Sequence, residues 1–287
     1  MKLPIDVDDG PSTRMAPQEF EEVRRLAYSS FGLELKAGKE ELVSSRLGKL
    51  VRAGRFRSFR EYCDAVRSDA TGQSLAAMID ALATNHTAFL REPEHFRFLR
   101  ERVVPALMKR PSIEIWSAAC STGEEPWTLA FLLNDACPGK NIRILATDIS
   151  GRALKAAQQA TYSAERCQTL PPDWVSRFFS ADGSSPPLYQ VRADVRRQVK
   201  FRRLNLIEEI SGIRPLPVIF CRNVMIYFDR ETQTRLIRKL AHCLEPGGYL
   251  FVGHAESLTR VSHGLEYVRP AVYRKPVIKE GKWIASW

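Results

Sequence analysis

Residues 217–229 read PVIFCRNVMIYFD, and the apolar run Val218-Ile219-Phe220 stops abruptly at Cys221, Arg222 and Asn223. A short run without polar alternation suits a strand covered on both faces, as the strands of a parallel sheet are. In an open α/β sheet, ligands settle beyond the carboxyl ends of such strands. The polar residues at that end are therefore candidate site residues, with Tyr227 near enough for its hydroxyl to reach the same region. A buried strand with a polar exit and a core tyrosine explains the run equally well in isolation, so the flanking chain has to decide.

The flanking chain points to an α/β sheet. Strands are expected at 113–117, 142–147, 218–221, 249–253 and 271–275, and helices at 124–135, 151–160 and 230–243. Strands alternating with helices of this length indicate βαβ units and a mostly parallel sheet, here over residues 111–276. Between 161 and 204 the alternation breaks. Pro171-Pro172, the stretch 182–187 (DGSSPP) and the alternating Tyr189-Gln190-Val191-Arg192 predict a small β insert with a hairpin. Residues 16–84 read instead as a run of helices. Pro17 opens the first over the stripe Phe20, Val23, Leu26 and Ala27, and 40–53, 58–67 and 74–83 follow. Residues 85–110 are expected to be a linker and connecting helix, residues 1–15 disordered and residues 277–287 a mobile tail.

The 287 residues can hold one large domain or two smaller ones, and a hydrophobic fraction of 44% is ordinary for a globular protein. The opening MKLPIDVDDG has acids where a secretion signal needs an apolar core, and no stretch approaches the ~20 apolar residues of a membrane span. A cytoplasmic location is expected, with the six cysteines reduced; they form no C-x-x-C pair and support neither a zinc site nor a disulfide framework. The net charge of +10 implies an acidic partner. Cations concentrate in 39–60 (Lys39, Arg46, Lys49, Arg52, Arg55, Arg57, Arg60) and in 192–203 (Arg192, Arg196, Arg197, Lys200, Arg202, Arg203). Nucleic acid and an anionic protein surface both answer to that charge, but aromatics are not interleaved as a single-strand binder needs.

A cofactor signature follows the first expected strand. Ile113–Trp116 leads into SAACSTGEEP (117–126), whose small residues let the backbone approach a ligand just before a helix begins. The strict G-x-G-x-x-G is absent, and Glu124 and Glu125 would repel a pyrophosphate. They suit a cofactor carrying an ammonium and a sulfonium, such as S-adenosylmethionine; complementing the helix dipole is the alternative. Asp148 ends the next strand 25 positions after Gly123, near the spacing at which an acid meets ribose hydroxyls. Capping the following helix is its alternative role.

Taken together, TNHTAFLREPEHF (84–96), WSAACSTGEEP (116–126), ATDI (146–149), FCRNVMIYFD (220–229) and GHAESL (253–258) resemble the chemotaxis receptor methyltransferases, the CheR family, in order and over residues 17–275. The resemblance implies an all-α N-terminal domain joined to a Rossmann-like S-adenosylmethionine-dependent methyltransferase domain with a small antiparallel β insert. It implies methyl transfer to glutamate side chains of chemoreceptors, giving glutamyl methyl esters. Carried over by position, Asn85, Thr87, Arg91, Glu125, Asp148, Asn205, Leu206, Cys221 and Arg222 would contact the cofactor, and Arg91 and Tyr227 would border the transferring methyl. His86 and Leu90 occupy positions that the family often fills differently. Some members tether to a receptor peptide through the insert, but the loop ADGSSPP (181–187) has one glycine where those members carry several.

A glutamate acceptor is ionised near neutral pH, so no general base is needed and the demand is geometric. Arg91 is expected to orient the acceptor by a charge-assisted hydrogen bond, with the Tyr227 phenol assisting; a surface pair of Arg91 with Glu92 or Glu94 is the alternative. Of His95, His254 and His263, His254 is best placed as a base, though the chemistry does not require one. Arg46, Lys49 and Arg52 share one helix face that would suit acidic receptor helices; a solvated cationic face is the alternative. The expected molecule is a monomer without metal, acting on chemoreceptors and not on nucleic acid. A nucleic-acid methyltransferase would carry Asn/Asp-Pro-Pro-aromatic where this chain has Arg222-Asn223-Val224-Met225, and a non-catalytic docking module would not need Arg91 and Tyr227.

Overall fold

Helix α1 (Pro17–Phe31) starts where the chain can satisfy its first amides. Proline occupies N1 and the Glu19 carboxylate accepts from Ala16 N at 2.9 Å, and the helix stops at Gly32, whose φ of 74° favours glycine. The same carboxylate accepts from Phe59 N at 2.9 Å, so one acid fixes the starts of both α1 and α3 (Phe59–Ser68). Between them, α2 (Glu40–Ala53) buries Val43, Leu47 and Val51; α4 (Gln73–Leu82) buries Met78, Ile79 and Leu82. This all-helical unit spans residues 1–84, and a second unit spans 85–287. The computed structural model describes residues 15–259 and 263–277. The expected disorder of 1–15 and mobility of 277–287 therefore lie outside the described residues, apart from Met15, which is buried, and Val277.

In the second unit, α5 (Pro93–Phe98) runs through a π-helical turn (Leu99–Val103) into α6 (Val104–Leu107). Among the described residues the first strand is β1 (Ser112–Ala118), followed by α7 (Glu124–Ala136), β2 (Asn141–Asp148) and α8 (Gly151–Gln159). The small sheet comes next: β3 (Thr161–Ser163), α9 (Ala164–Cys167), α10 (Pro172–Phe178), β4 (Phe179–Ala181) and β5 (Leu188–Val191), joined antiparallel as β3-β5-β4. After α11 (Ala193–Arg196) come β6 (Val199–Arg203), β7 (Leu216–Cys221), a 3₁₀ turn (Met225–Tyr227), α12 (Arg230–His242), β8 (Leu244–Val252), β9 (Glu266–Arg269) and β10 (Val272–Arg274). The main sheet has the order β6-β2-β1-β7-β8-β10-β9. Its first five strands are parallel, and β10 runs antiparallel to both of its neighbours, β8 and β9. No described helix is long and apolar enough to cross a membrane.

Two boundaries differ from expectation. Val199–Arg203, inside the stretch 161–204 expected to be insert, pairs with β2 as the edge of the main sheet. Its lysine and arginines disguise it, as cations do on edge strands. Strand β8 begins at Leu244, earlier than Tyr249, because Gly247-Gly248 mark an irregular register against β7 and not an end. A Cβ on Gly248 would meet Glu245 O at 2.9 Å and Pro217 O at 3.1 Å.

In β7, Val218 and Phe220 face the core that includes α7 residues Leu129, Phe131 and Leu133, while Ile219 and Cys221 face the core that includes Leu236, Ile237 and Leu240 of α12. Both faces are covered, so both need apolar side chains. The chain winds outward from β1 through β2 to β6, then returns to β7 and winds the other way to β8. The reversal lies between β1 and β7, where Ser117 and Ala118 pair with Phe220 and Cys221. A crevice is expected outside the carboxyl ends at that point.

Candidate functional site

The loop leaving β1 is built for close approach. Ala119 and Ser121 sit at φ 63° and 51°, and Gly123 at φ 98°. A Cβ on Gly123 would stand 2.9 Å from both Ala157 Cβ and Tyr162 Oη, so only glycine fits. Ser121 Oγ donates to Asn85 O at 3.1 Å, tying the 85–91 segment, in which Asn85, Thr87 and Arg91 are half-buried, to this loop. Ser121 N donates to Asp148 Oδ2 at 2.8 Å, while Asp148 Oδ1 accepts from Ser150 N at 2.9 Å. The cap of α8 is Ser150, accepting from Ala153 N, so Asp148 is left as an acid at the strand end facing the β1 loop. Asn205 follows β6, whose Arg203 is in register with Asp148; its Nδ2 donates to Glu208 Oε1 at 2.8 Å. Leu206 is buried in the α12-side core.

The two glutamates at the start of α7 behave differently. Glu124 is fully buried and committed to the scaffold: Arg166 pairs with it at 2.7 Å and Thr122 Oγ1 donates to it at 2.7 Å. Glu125 accepts from Ser117 Oγ at 2.6 Å and faces Arg222 Nε at 3.1 Å. Burial raises the Glu125 carboxyl above the ordinary range, and Arg222 opposes that rise.

Arg222 is the hub. Its side chain is 2% exposed, and its guanidinium lies over the rings of Phe96 and Phe220. Nη2 donates to Arg91 O at 2.6 Å, Nη1 stands 3.3 Å from His95 Nδ1, and Nε lies 3.8 Å from Glu92 Oε2. Glu92 Oε1 accepts from Asn223 Nδ2 at 3.1 Å and His254 N at 3.3 Å. Burial pushes the Glu92 carboxyl up, but Asn223 and Arg222 outweigh burial and hold it below its usual range. Cys221, one residue before the hub, is fully buried, and burial pushes its thiol well up.

Arg91 is half-buried, and its guanidinium Nη1 donates to His86 O at 2.8 Å. The expected alternative pairs do not form among the described residues: Glu92 goes to Arg222 and His95, and Glu94 to Arg97 and Arg269. Tyr227 ends the 3₁₀ turn after β7, half-buried against the α12-side core. In the helical unit, Lys49 and Arg52 are exposed, but Arg46 Nη1 donates to Leu82 O at 2.6 Å and to Thr84 Oγ1 at 3.2 Å. Arg46 therefore caps α4 and stands apart from the open cationic face.

His95 is 1% exposed, and burial followed by the Arg222 charge lowers its pKa to about 3. It is neutral at physiological pH and unsuited as a base. His254 is exposed, its ring 4.9 Å from that of His95. Glu92, His95 and His254 bring ligand-type atoms within 4.8 Å of one another, but the adjacent Arg222 charge disfavours a second cation there. Between about pH 3 and the unfolded value near 6.5, the unfolded chain binds a proton at His95 that the folded chain refuses, so His95 destabilises the fold increasingly as pH falls. Glu92, Arg222, His254 and Arg269 face His95, and all four are retained in a His95→Gln variant. In urea unfolding from pH 7 to pH 4, His95→Gln is expected to lose stability less steeply than wild type. Parallel curves would count against a neutral His95.

Sequence reading named Asn223 among the polar residues at the β7 exit and placed Ser117 and Ser121 in the small-residue turn, but it gave none of them a partner; the fold supplies Glu92, Glu125 and Asp148 respectively. The residues present fit an S-adenosylmethionine donor: a turn that admits backbone contact, and the acids Glu125 and Asp148 at the reversal point of the sheet.

Comparison with known proteins agrees. Residues 85–273 match the family model described as CheR methyltransferase, SAM binding domain, and residues 18–83 that described as CheR methyltransferase, all-alpha domain. The chain is 39% identical over 263 residues to chemotaxis protein methyltransferase 2 of Pseudomonas aeruginosa, covering 89% of this chain and 92% of that one. It is 35% identical over 268 residues to the chemotaxis protein methyltransferase of Borreliella burgdorferi (90% and 94% covered). With the Escherichia coli chemotaxis protein methyltransferase it shares 33% over 264 residues (90% and 91%). An all-α unit ahead of a S-adenosylmethionine-binding sheet, matched by family models over residues 18–83 and 85–273, makes the chain a member of the CheR methyltransferase family.

Proposed function

We propose that this methyltransferase transfers the methyl group of S-adenosylmethionine to glutamate carboxylates of chemoreceptors, forming glutamyl methyl esters. The observation that carries the reading is the way Arg222 holds Arg91. A buried guanidinium anchored by Glu125 grips the Arg91 carbonyl at 2.6 Å, while the Arg91 side chain rests on a main-chain carbonyl, His86 O. A carboxylate is a stronger partner for that guanidinium than a neutral carbonyl, so an incoming glutamate can displace His86 O without disturbing the anchor.

The bound donor supplies a methyl carbon whose bond to a sulfonium sulfur breaks as its bond to the acceptor oxygen forms. Arg91 orients the acceptor oxygen for in-line attack, and Tyr227 restrains the second oxygen or the donor. Asp148 would accept from the donor's ribose hydroxyls, and Asn205 after β6 and Glu125 at the start of α7 would contact the donor. No residue has to remove a proton, which fits the neutral, buried state of His95.

Incubation with radiolabelled donor separates the substrate classes. Base-labile label on glutamates of receptor cytoplasmic fragments is expected, and acid-stable label on DNA or RNA would overturn the reading. In the same assay, combined Lys49→Glu and Arg52→Glu is expected to raise the receptor KM about tenfold and leave the donor Kd unchanged. An unchanged KM would return those residues to a solvated face.

A further inference from the structure

Glu256 lies beside the site and is only 6% exposed. Its Oε2 accepts from Gly253 N at 2.6 Å and from Asn223 N at 2.8 Å, and its Oε1 accepts from Met225 N at 2.7 Å. These amides belong to two separate strand exits, β8 for Gly253 and β7 for Asn223 and Met225. The carboxylate therefore stitches one exit to the other. The arrangement demands glycine at 253, where a Cβ would stand 2.4 Å from Asn223 Nδ2 and 2.8 Å from Glu256 Oε2. Asn223 itself sits at φ 59°, a conformation that costs a non-glycine residue energy and persists only when its surroundings impose it. Its side chain reaches on to Glu92 at 3.1 Å.

The stitched segment runs directly into Met225–Tyr227. Among the described residues the Tyr227 phenol has no hydrogen-bond partner, so the path of the turn is what sets its position. We infer that Glu256 is a positioning residue for methyl transfer: it fixes the β7 exit so that Tyr227 meets the reacting groups. This rests on the function proposed above. Burial raises the Glu256 carboxyl, and the backbone donors oppose that rise, in keeping with an acid held for its acceptor oxygens.

The test is Glu256→Gln, which turns one acceptor oxygen into a donor facing backbone N–H groups. Expected is a fall in kcat of up to about tenfold, bounded by the loss of the Tyr227 hydrogen bond itself, with receptor KM and donor Kd within about threefold of wild type. In a Tyr227→Phe background the same change should cost only a small part of that factor, because the group it positions is already gone. Equal losses in both backgrounds, or a folded Glu256→Gln enzyme with wild-type kcat, would overturn the inference. Should Glu256→Gln not fold, amide exchange in the wild type decides. Asn223, Met225 and Gly253 are expected to be strongly protected, and exchange at the rate of open loops would overturn the clamp. Wild-type silence on receptor fragments would instead overturn the function, so the two failures are told apart.

Discussion

Replacing Arg222 with methionine is expected to destabilise the 85–287 unit by about 3–5 kcal/mol, the loss typical of breaking a buried ion pair from one side. Methionine fills much of the volume and keeps contact with Phe96 and Phe220, so the loss reports charge more than packing. Glu125 and Glu92, with side chains 11% and 15% exposed, would be left without their shared cation. Both carboxyls should then take up protons more readily in the folded state than in the unfolded one. Stability of the variant should accordingly recover as pH falls from 7 toward 5, the sense in which a folded state that binds extra protons gains. Urea midpoints at the two pH values, with Glu125→Gln added to Arg222→Met as a partial rescue, check this. A deficit under 1 kcal/mol, or one that grows on acidification, would mean that Arg222 is not the counter-charge of these acids.

The second large effect is on chemistry. Arg91→Ala is expected to lower kcat/KM for receptor methylation by about 10²–10³, the range for removing one preorganised donor aimed at reacting oxygens. Arg91→Lys should recover only part of it, since an ammonium lacks the planar fork. Tyr227→Phe should lose about tenfold, as for one neutral hydrogen bond. Single-turnover rates with saturating donor separate these losses from docking. Near-wild-type rates for both Arg91→Ala and Tyr227→Phe would sink the assignment of the acceptor site.

Much of the scaffold is written in short-range chemistry. The uninterrupted Val218-Ile219-Phe220 reads as a two-sided strand because both faces are covered. Pro17, Ser58, Ser150 and Asp229 announce helix starts because proline tolerates N1 and short polar side chains accept from the first turn. Where that chemistry is ambiguous, reading fails. Strand β6, VKFRR, looks like an exposed cationic stretch because an edge strand has one side open. Gly247-Gly248 look like a terminus because bulges and turns share the same residues.

The site was readable as a set of positions but not as a set of partners. That Asp148, Cys221 and Arg222 converge with Glu125 follows from their places at strand ends and its place at the start of the helix after β1. That Arg222 grips Glu125, Glu92 and the Arg91 carbonyl, that Glu124 is spent on Arg166, and that Arg46 closes α4 do not follow from any spacing. Periodicity and capping act within a few residues, where chain geometry alone brings groups together. Pairing of buried charge is settled only when the fold strips water from several segments at once and leaves each ion the few partners that remain in reach.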